Sequence, residues 1–298
     1  MTERKRENAP WGRGEILVTG ATGTVGRSLV TELVGAGLEP RLLVRPRTRS
    51  VVPSGGTVVR ADLDDREAVR RAFEGVRALF LLTPLRPRQD LAQIALLRTA
   101  VESGVEHVVK VSAFGADPDS PVTVHREHAA SDAELSASGL SHAILRPNTF
   151  MQNILQWRAG IAGRGRIELP MGDARVSMID ARDIALAAYH ALLDPRRGAG
   201  IHELTGPVAL GYDEIAASVA EVIGSDVRYV EVTPEETAAN MRARGVPDWA
   251  VQARLELYGS IRAGEAEEVT SGVLRLTGRE PGGLPRFLKE VAHLLGRP

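Results

Sequence analysis

The first half of the chain alternates short apolar runs with segments whose apolar residues recur at helical spacing. The apolar runs predict strands at 15–19, 41–44, 57–60, 78–82, 107–111 and 142–145. The segments between them predict helices at 24–36, 65–74, 89–103 and 129–138. Strands that alternate with helices of this length are typical of parallel βαβ units with right-handed crossovers. The pattern therefore predicts an α/β fold with a doubly wound parallel sheet, covered by helices on both faces.

The pattern changes after about residue 147, where helical segments become dominant. It predicts helices at 181–193, 212–223, 234–244 and 247–263, and short strands at 166–169, 201–204 and 227–230. We therefore expect a disordered tail over 1–14, a sheet domain over 15–150 with strand and helix contributions from 175–205, and a smaller C-terminal α/β lobe over 151–298.

A glycine-rich segment, GATGTVG at 20–26, directly follows the first predicted strand and opens the first helix. Gly20 permits a tight turn, Gly23 allows the backbone to approach a pyrophosphate, and Gly26 allows the helix to pack closely on the sheet. The free N–H groups at the helix start attract phosphate. This context predicts a Rossmann dinucleotide-binding loop, with backbone or side-chain contributions from Thr22, Thr24 and Val25.

The end of the second predicted strand indicates which dinucleotide is preferred. A site selective for NAD places an acidic residue there to bind the ribose 2′-hydroxyl, whereas this chain has Arg45, followed by Arg47 and Arg49. A guanidinium group binds a 2′-phosphate in bidentate fashion, so NADP(H) is favoured and NAD(H) stays open. A solvated basic loop is the ordinary alternative.

Further cofactor contacts are expected after other strands, because ligands in such folds bind outside the carboxyl ends of the strands. Asp62 and Leu63 follow the third strand on the adenine side, and Thr83 and Pro84 follow the fourth beside the nicotinamide ribose. Each of these residues is equally compatible with simple loop entry.

Composition excludes several other classes of protein. Lys and Arg number 37 and Asp and Glu 38, which argues against nucleic acid or an anionic membrane as a partner. There is no cysteine, and no apolar run approaches the length of about 20 residues that spans a bilayer. Without such a run, we expect a cytoplasmic protein. The histidines and carboxylates lack metal-ligand spacing, so we expect no metal site.

Several segments together resemble the NmrA-like, atypical short-chain dehydrogenase/reductase family, especially its quinone-oxidoreductase-like branch. The resemblance covers residues 15–293 and is carried by GATGTVG, VRPRTRS, VVKVSAFGAD, LRPNTFMQN, SMIDARDIALAAYHAL and HELTGPVALGYDEIA. It implies an NAD(P)-binding Rossmann domain, a C-terminal substrate lobe, and reduction of quinone-like or other carbonyl compounds. It also implies an alternative, because some members sense NAD(P) without catalysis and regulate a partner.

The chain departs from most short-chain dehydrogenases because no Tyr is followed four residues later by Lys. The usual proton donor is therefore absent, which fits an acceptor such as a quinone that needs little acid catalysis. Ser112, just past the fifth strand, is a candidate carbonyl-polarising hydroxyl or else a strand-end cap. Lys110 shares its face of the strand and is expected to contact the cofactor or a carboxylate, or to extend to solvent as a snorkelling side chain.

His125 and His128 stand at the start of the following helix, where the missing Tyr and Lys would lie. His128 and Asp132 share one helix face, so the carboxylate is expected to orient the imidazole and raise its pKa, which would make a proton donor. A solvent-facing histidine at a helix start is the alternative.

The loop after the sixth strand is expected to face the nicotinamide through Asn148 and Phe150. Phe150, Met151, Trp157 and Trp249 are candidates for an aromatic-binding wall, although core packing is the simpler interpretation for the two tryptophans.

The sequence thus predicts an NAD(P)H-dependent oxidoreductase that transfers hydride to a quinone-like or polycyclic aromatic carbonyl compound, with an aromatic polyketide as one candidate. The main alternative is a non-catalytic NAD(P)-sensing protein, and a weaker one is an epimerase with tightly held cofactor. The expected partner is a small aromatic molecule, and a homodimer is left open.

Overall fold

The computed structural model describes residues 10–296 and contains one large sheet and two small ones. The strands, in chain order, are β1 (Ile16–Val18), β2 (Arg41–Val44), β3 (Thr57–Arg60), β4 (Ala78–Leu81), β5 (His107–Val111), β6 (Ser141–Pro147), β7 (Arg166–Leu169), β8 (Arg175–Val176), β9 (Gly200–Leu204), β10 (Leu210–Gly211) and β11 (Arg228–Glu231).

Helices connect most of these strands. They are α1 (Thr24–Gly35), α2 (Arg66–Ala72), α3 (Gln89–Glu102), α4 (Thr123–Ala137), α5 (Arg158–Arg164), α6 (Ala181–Leu193), α7 (Tyr212–Ile223), α8 (Pro234–Ala243), α9 (Asp248–Arg262), α10 (Gly272–Thr277) and α11 (Leu284–Leu295), with a 3₁₀ helix at Met151–Trp157 before α5. No helix among the described residues is long and apolar enough to cross a membrane.

The large sheet has seven parallel strands in the order β3-β2-β1-β4-β5-β6-β9. The chain proceeds outward from β1 in one direction to β3 and then returns to β4 on the other side. The crossovers diverge between β1 and β4, which opens a crevice at the carboxyl ends of these strands. The predicted doubly wound Rossmann sheet is confirmed.

Alternate residues of each central strand belong to different cores, as a pleated strand requires. In β5, Val109 and Val111 pack in the core that contains α1, α6 and α10. Val108, which precedes them on the opposite face of the strand, packs in the core that contains α2, α3 and α4. Lys110 therefore points toward the α2–α3–α4 face, as Val108 does.

The smaller C-terminal lobe has an apolar core of its own. Its buried side chains come chiefly from the 3₁₀ helix, α7, α11 and β7, and the half-buried Tyr229 of the paired strand β11 packs against them. The predicted smaller C-terminal lobe of mixed helices and strands is confirmed. The sequence pattern missed the 3₁₀ helix, α5, β8, β10, α10 and α11, most of which are short elements that depend on tertiary contacts.

Two boundary predictions are wrong for identifiable reasons. Residues 1–9 of the predicted tail lie outside the described residues, but Trp11 is buried and its indole Nε1 donates to the carbonyl oxygen of Leu192 at 2.7 Å. Helix α4 begins at Thr123 rather than at 129, and the backbone N–H of Thr123 donates to Glu256 in α9 at 2.8 Å. That acceptor lies 133 residues away, so local periodicity does not reveal it.

Candidate active site

The glycine loop makes the turn that its sequence predicts. Gly20 has a left-handed φ of 64°, and a Cβ there would lie 2.7 Å from the carbonyl oxygen of Leu82. A Cβ at Gly26 would lie 2.2 Å from the carbonyl oxygen of Gly20. Since real Cβ atoms do not approach so closely, the predicted tight turn at Gly20 is confirmed, and Gly26 allows the start of α1 to lie against the loop itself.

The remainder of the loop presents backbone rather than side chains to the crevice. Gly23 caps α1 with no side-chain hydrogen bond, which leaves the first N–H groups of the helix available to a phosphate. Thr24 is exposed at the helix start, whereas the side chain of Val25 is buried in the main core. Only the backbone of Val25 is therefore available for the predicted cofactor contact.

A basic cleft of about 640 Å³ lies beyond β2. It is lined by Arg45, Arg47, Arg49, the residues between them, Ser50 and Asp62. The three guanidinium groups form no ion pair within residues 10–296, so the cleft carries excess positive charge suited to a phosphate. Asp62 lies here as predicted, while the side chain of Leu63 packs against the core below.

A second cavity of about 400 Å³ opens at the carboxyl ends of β4, β5 and β6, beneath the lobe. Leu82, which contacts Gly20, lies in its wall and connects it to the glycine loop. The walls are mainly apolar and aromatic, and the main contributors are Leu82, Leu85, Val111, Phe114, Val124, Phe150, Trp157, Tyr212, Leu257, Tyr258 and Ile261. Size, position and lining are those of a small-molecule site.

A buried ion-pair network lies against one wall of this cavity. Lys110 is fully buried and its Nζ donates to Asp132 Oδ1 at 2.7 Å, while Ser112 Oγ donates to Oδ2 at 2.8 Å. Arg146 also donates to Oδ2, from Nη2 at 3.0 Å. The predicted contact of Lys110 with a carboxylate is confirmed, and the alternative of a snorkelling lysine is wrong.

This network limits what Ser112 can do. Ser112 lines the cavity as predicted, but its one hydroxyl hydrogen is directed to Asp132. It therefore presents lone pairs rather than a donor to a bound molecule. Burial lowers the pKa of Lys110, and Asp132 opposes that effect.

The prediction that Asp132 raises the pKa of His128 is wrong. Asp132 pairs with Lys110, Ser112 and Arg146 instead, and His128 has no bond to it among the described residues. Burial holds the pKa of His128 well below its ordinary value, and the charges of Lys110, His125 and Arg146 lower it further. The imidazole lines the cavity as a neutral group.

The other predicted residues are placed as follows. His125 lines the cavity, and burial lowers its pKa. Thr83 is buried in the wall, where its hydroxyl accepts from Gln93 Nε2 at 2.9 Å, while Pro84 is exposed. Asn148 donates from Nδ2 to Ser177 Oγ at 2.8 Å, so its amide ties the end of β6 to the lobe.

The predicted aromatic wall is confirmed only in part. Phe150 and Trp157 line the cavity, and the Trp157 ring lies 6.2 Å from that of Tyr212. Met151 is buried in the core of the lobe, and Trp249 is 40% exposed, so neither contributes to the wall.

Two contributions to the cavity, from α9 and from Gln89, were not predicted from the sequence. Arg254, Leu257 and Tyr258 of α9 close the cavity from the lobe side, and Gln89 lines it from the start of α3. Burial raises the pKa of Tyr258, so its phenol is neutral near neutral pH. Helical periodicity predicted α9 but carried no signal for which face meets the sheet.

Comparison with known proteins identifies the family. The model of the NmrA-like family matches residues 12–273. The chain belongs to the NmrA-like family. The resemblance stated from sequence motifs is thus confirmed over most of the chain.

Individual relatives of this NmrA-like protein include two reductases. An NAD(P)H azoreductase of Xenophilus azovorans is 35% identical, covering 94% of this chain and 99% of its own length. The (4-alkanoyl-5-oxo-2,5-dihydrofuran-3-yl)methyl phosphate reductase of Streptomyces griseus is 34% identical, covering 89% and 93% respectively.

A solved structure confirms the fold. The NADPH-dependent quinone oxidoreductase of Escherichia coli, complexed with NADPH, superposes with a TM-score of 0.82 at 23% identity, covering 93% of this chain and 99% of that one.

Proposed function

We propose that this NmrA-like protein is an NAD(P)H-dependent oxidoreductase of the azo- and quinone-reductase type, with a preference for NADP(H). Its acceptors are flat, conjugated molecules: quinones, polycyclic aromatic carbonyl compounds such as aromatic polyketides, and azo compounds. The observation that carries the proposal is the aromatic-walled cavity at the carboxyl ends of β4, β5 and β6, continuous through Leu82 with the glycine loop.

The residues present fit a dinucleotide. The loop at Gly20–Gly26 and the start of α1 would hold the diphosphate through backbone N–H groups. A 2′-phosphate would be held in the basic cleft by Arg45, Arg47 and Arg49. Among the described residues, the one carboxylate in the lining of this cleft is that of Asp62. The distance between cleft and cavity is spanned by the carboxyl edge of the sheet, where such cofactors bind.

The chemistry of the cavity favours an acceptor that requires little acid catalysis. When bound, the cofactor would supply a hydride for the acceptor. Ser112 directs its hydrogen to Asp132, Lys110 is fully buried, and His128 is held neutral, so none of the three offers a ready acidic proton. Conjugation stabilises the anion that a quinone forms on reduction, and the aromatic walls orient and dehydrate its ring.

The test is oxidation of NADPH, followed by absorbance without oxygen, against a panel of quinones and azo dyes. We expect turnover with quinones, faster with NADPH than with NADH. The Gly26→Ala variant should lose cofactor binding, because its Cβ would overlap the Gly20 carbonyl oxygen. Gly35→Ala on the same helix is the matched control, since a Cβ there meets nothing within 4 Å.

Two results would count against the proposal in different ways. Binding of both NADPH and NADP⁺ with no turnover of any acceptor in the panel would favour a non-catalytic NAD(P)-sensing protein. Failure to bind either nucleotide at millimolar concentration would overturn the assignment of the glycine loop itself.

A further inference from the structure

The interface between α3 and α4 carries buried polar side chains in two layers, one helical turn apart. In the inner layer every group is paired. Gln93 of α3 donates from Nε2 to Thr83 Oγ1 at 2.9 Å, and Ser131 of α4 donates to Gln93 Oε1 at 2.7 Å. This layer is a closed hydrogen-bond network.

The outer layer, one turn nearer the cavity, is not closed. Gln89 lies four residues before Gln93, and His128 lies three residues before Ser131. Both Nε2 of Gln89 and Nδ1 of His128 are buried and have no hydrogen-bond partner in the part of the chain that the structure describes. Gln89 is only 2% exposed.

Buried polar atoms without partners are rare in folded proteins, because each costs free energy that a hydrogen bond would recover. Within residues 10–296 the one other such side-chain atom is Nδ1 of His202, outside the cavity. Gln89 and His128, by contrast, both line the cavity. Two unpaired atoms on facing helices at one cavity indicate that a bound molecule completes the outer layer.

The surrounding charges define what kind of group fits. Gln89 is neutral, and burial together with Lys110 and Arg146 keeps the pKa of His128 well below its ordinary value. Glu127, next to His128, accepts a hydrogen bond from the backbone N–H of Arg88, next to Gln89, at 3.0 Å. Charged groups of both signs therefore surround the pair, and an uncharged group fits the two neutral side chains without adding a further charge.

We propose that Gln89 and His128 together bind one uncharged carbonyl-bearing group of a ligand in the cavity. This inference rests on the proposed function, and the group belongs either to the carboxamide of the cofactor or to the carbonyl of the acceptor. A ketone oxygen accepts from Gln89 and from Nδ1 of His128 when the imidazole hydrogen is on that atom. A carboxamide pairs with both side chains in either tautomer.

The test compares stability with affinity in three variants. Gln89→Leu and His128→Leu remove the unpaired atoms, so the melting temperature should stay the same or rise while ligand affinity falls about tenfold. Ser131→Ala is the matched control. It breaks a satisfied bond in the inner layer, so the melting temperature should fall while affinity stays within about threefold.

Three ligands identify the source of the group. If it is the cofactor carboxamide, Gln89→Leu should lower the affinity for NADP⁺, measured by calorimetry, about tenfold. The affinity for 2′-phospho-ADP-ribose, which lacks nicotinamide, should not change. If it is the acceptor carbonyl, NADP⁺ affinity should be unchanged and the KM for a naphthoquinone should rise about tenfold. His128→Asn, whose amide can replace Nδ1, should restore much of the loss in His128→Leu.

The inference is overturned if wild type binds NADP⁺ and turns over a quinone, yet neither measurement changes more than twofold in Gln89→Leu and His128→Leu. It is also overturned if the affinity for 2′-phospho-ADP-ribose falls in parallel with that for NADP⁺, since that indicates a general structural effect. A wild-type protein that binds no nucleotide and reduces no quinone overturns the proposed function and this inference together.

Discussion

At the scale of single residues, the site depends on one carboxylate. Asp132 accepts hydrogen bonds from Lys110, Ser112 and Arg146, and its side chain is only 5% exposed. One acid thus compensates two cations, the buried Lys110 and the half-buried Arg146. Burial, and then the charges of Lys110, His125 and Arg146, keep the pKa of the nearby His128 below its ordinary value. The network determines the charge of the cavity wall although its central atoms lie behind the wall.

We expect Asp132→Asn to destabilise the fold by about 3–5 kcal/mol, because it leaves a buried lysine without its counter-ion. The measurement is urea unfolding at neutral pH. Glu134→Gln on the same helix is the control, since its bond to Arg98 is partly exposed and should contribute at most about 1 kcal/mol. Equal losses in the two variants would contradict a special role for Asp132.

Arg45 carries the second prediction at this scale. Arg45→Ala should lower the affinity for NADPH about tenfold, because it removes a charge-assisted hydrogen bond to phosphate. The affinity for NADH should change little. Titration of both nucleotides measures the discrimination. Arg166→Ala, an exposed arginine of β7, should leave both affinities unchanged. Parallel weakening of NADPH and NADH by Arg45→Ala would contradict recognition of a 2′-phosphate.

At the scale of elements, α4 brings the histidines to the cavity. Its N-terminus is bonded to Glu256 of α9, and Val122 and Val124 pack with Ala253 and Leu257. His125 is buried and His128 is half-buried in the cavity wall, and burial lowers the pKa of each below its ordinary value of 6.5. The helix therefore favours neutral imidazoles in the folded state.

This produces a pH dependence of defined sign. The unfolded chain binds protons at these histidines as pH falls below about 6.5, while the folded chain resists, so the free energy of unfolding should decrease on acidification. Each histidine contributes at most about 1.4 kcal/mol per pH unit in that window. Urea unfolding between pH 7.5 and 5.5 should show a smaller decrease in His128→Asn than in wild type. Identical pH profiles would contradict the assignment.

At the scale of the whole molecule, the cavity lies between two independent cores. One side is formed by the ends of β4, β5 and β6, and the other by α9 of the lobe. The contact between α4 and α9 is small within residues 10–296 and includes the four-residue apolar cluster and the hydrogen bonding of Thr123 to Glu256. A contact of this kind opens locally at low free-energy cost.

A ligand that contacts both sides should stabilise that contact by mass action. At a concentration of 100 Kd, NADP⁺ with a hydroquinone product should slow hydrogen exchange in α9 by up to about a hundredfold. Amides of α7 and α11, which pack inside the lobe core, serve as the internal reference. Equal slowing in all three helices would indicate global stabilisation rather than closure of α9 over the cavity.

Much of the architecture is determined locally. Short apolar runs and helical spacing were enough to predict β2, β3, β5, α6 and α7 at their observed bounds, because strands of a parallel sheet form apolar runs and a helix buried on one face repeats at its own geometric period. The glycine loop can also be predicted from the sequence, since only glycine permits the approach of Gly26 to Gly20. These features need no knowledge of distant residues.

The partnerships of polar groups were decided only by the tertiary structure. Spacing placed His128 and Asp132 on one face of α4, but the end of β5 supplies Lys110 and Ser112 and β6 supplies Arg146 as the partners of that carboxylate. Burial, and then the charges of Lys110, His125 and Arg146, lower the pKa of His128 instead of raising it. The same holds for α9, whose cavity-facing side depends on its docking. Hydrogen bonds and Coulomb interactions act through space, so the sequence by itself determined the elements and the phosphate loop, and folding selected which charges meet.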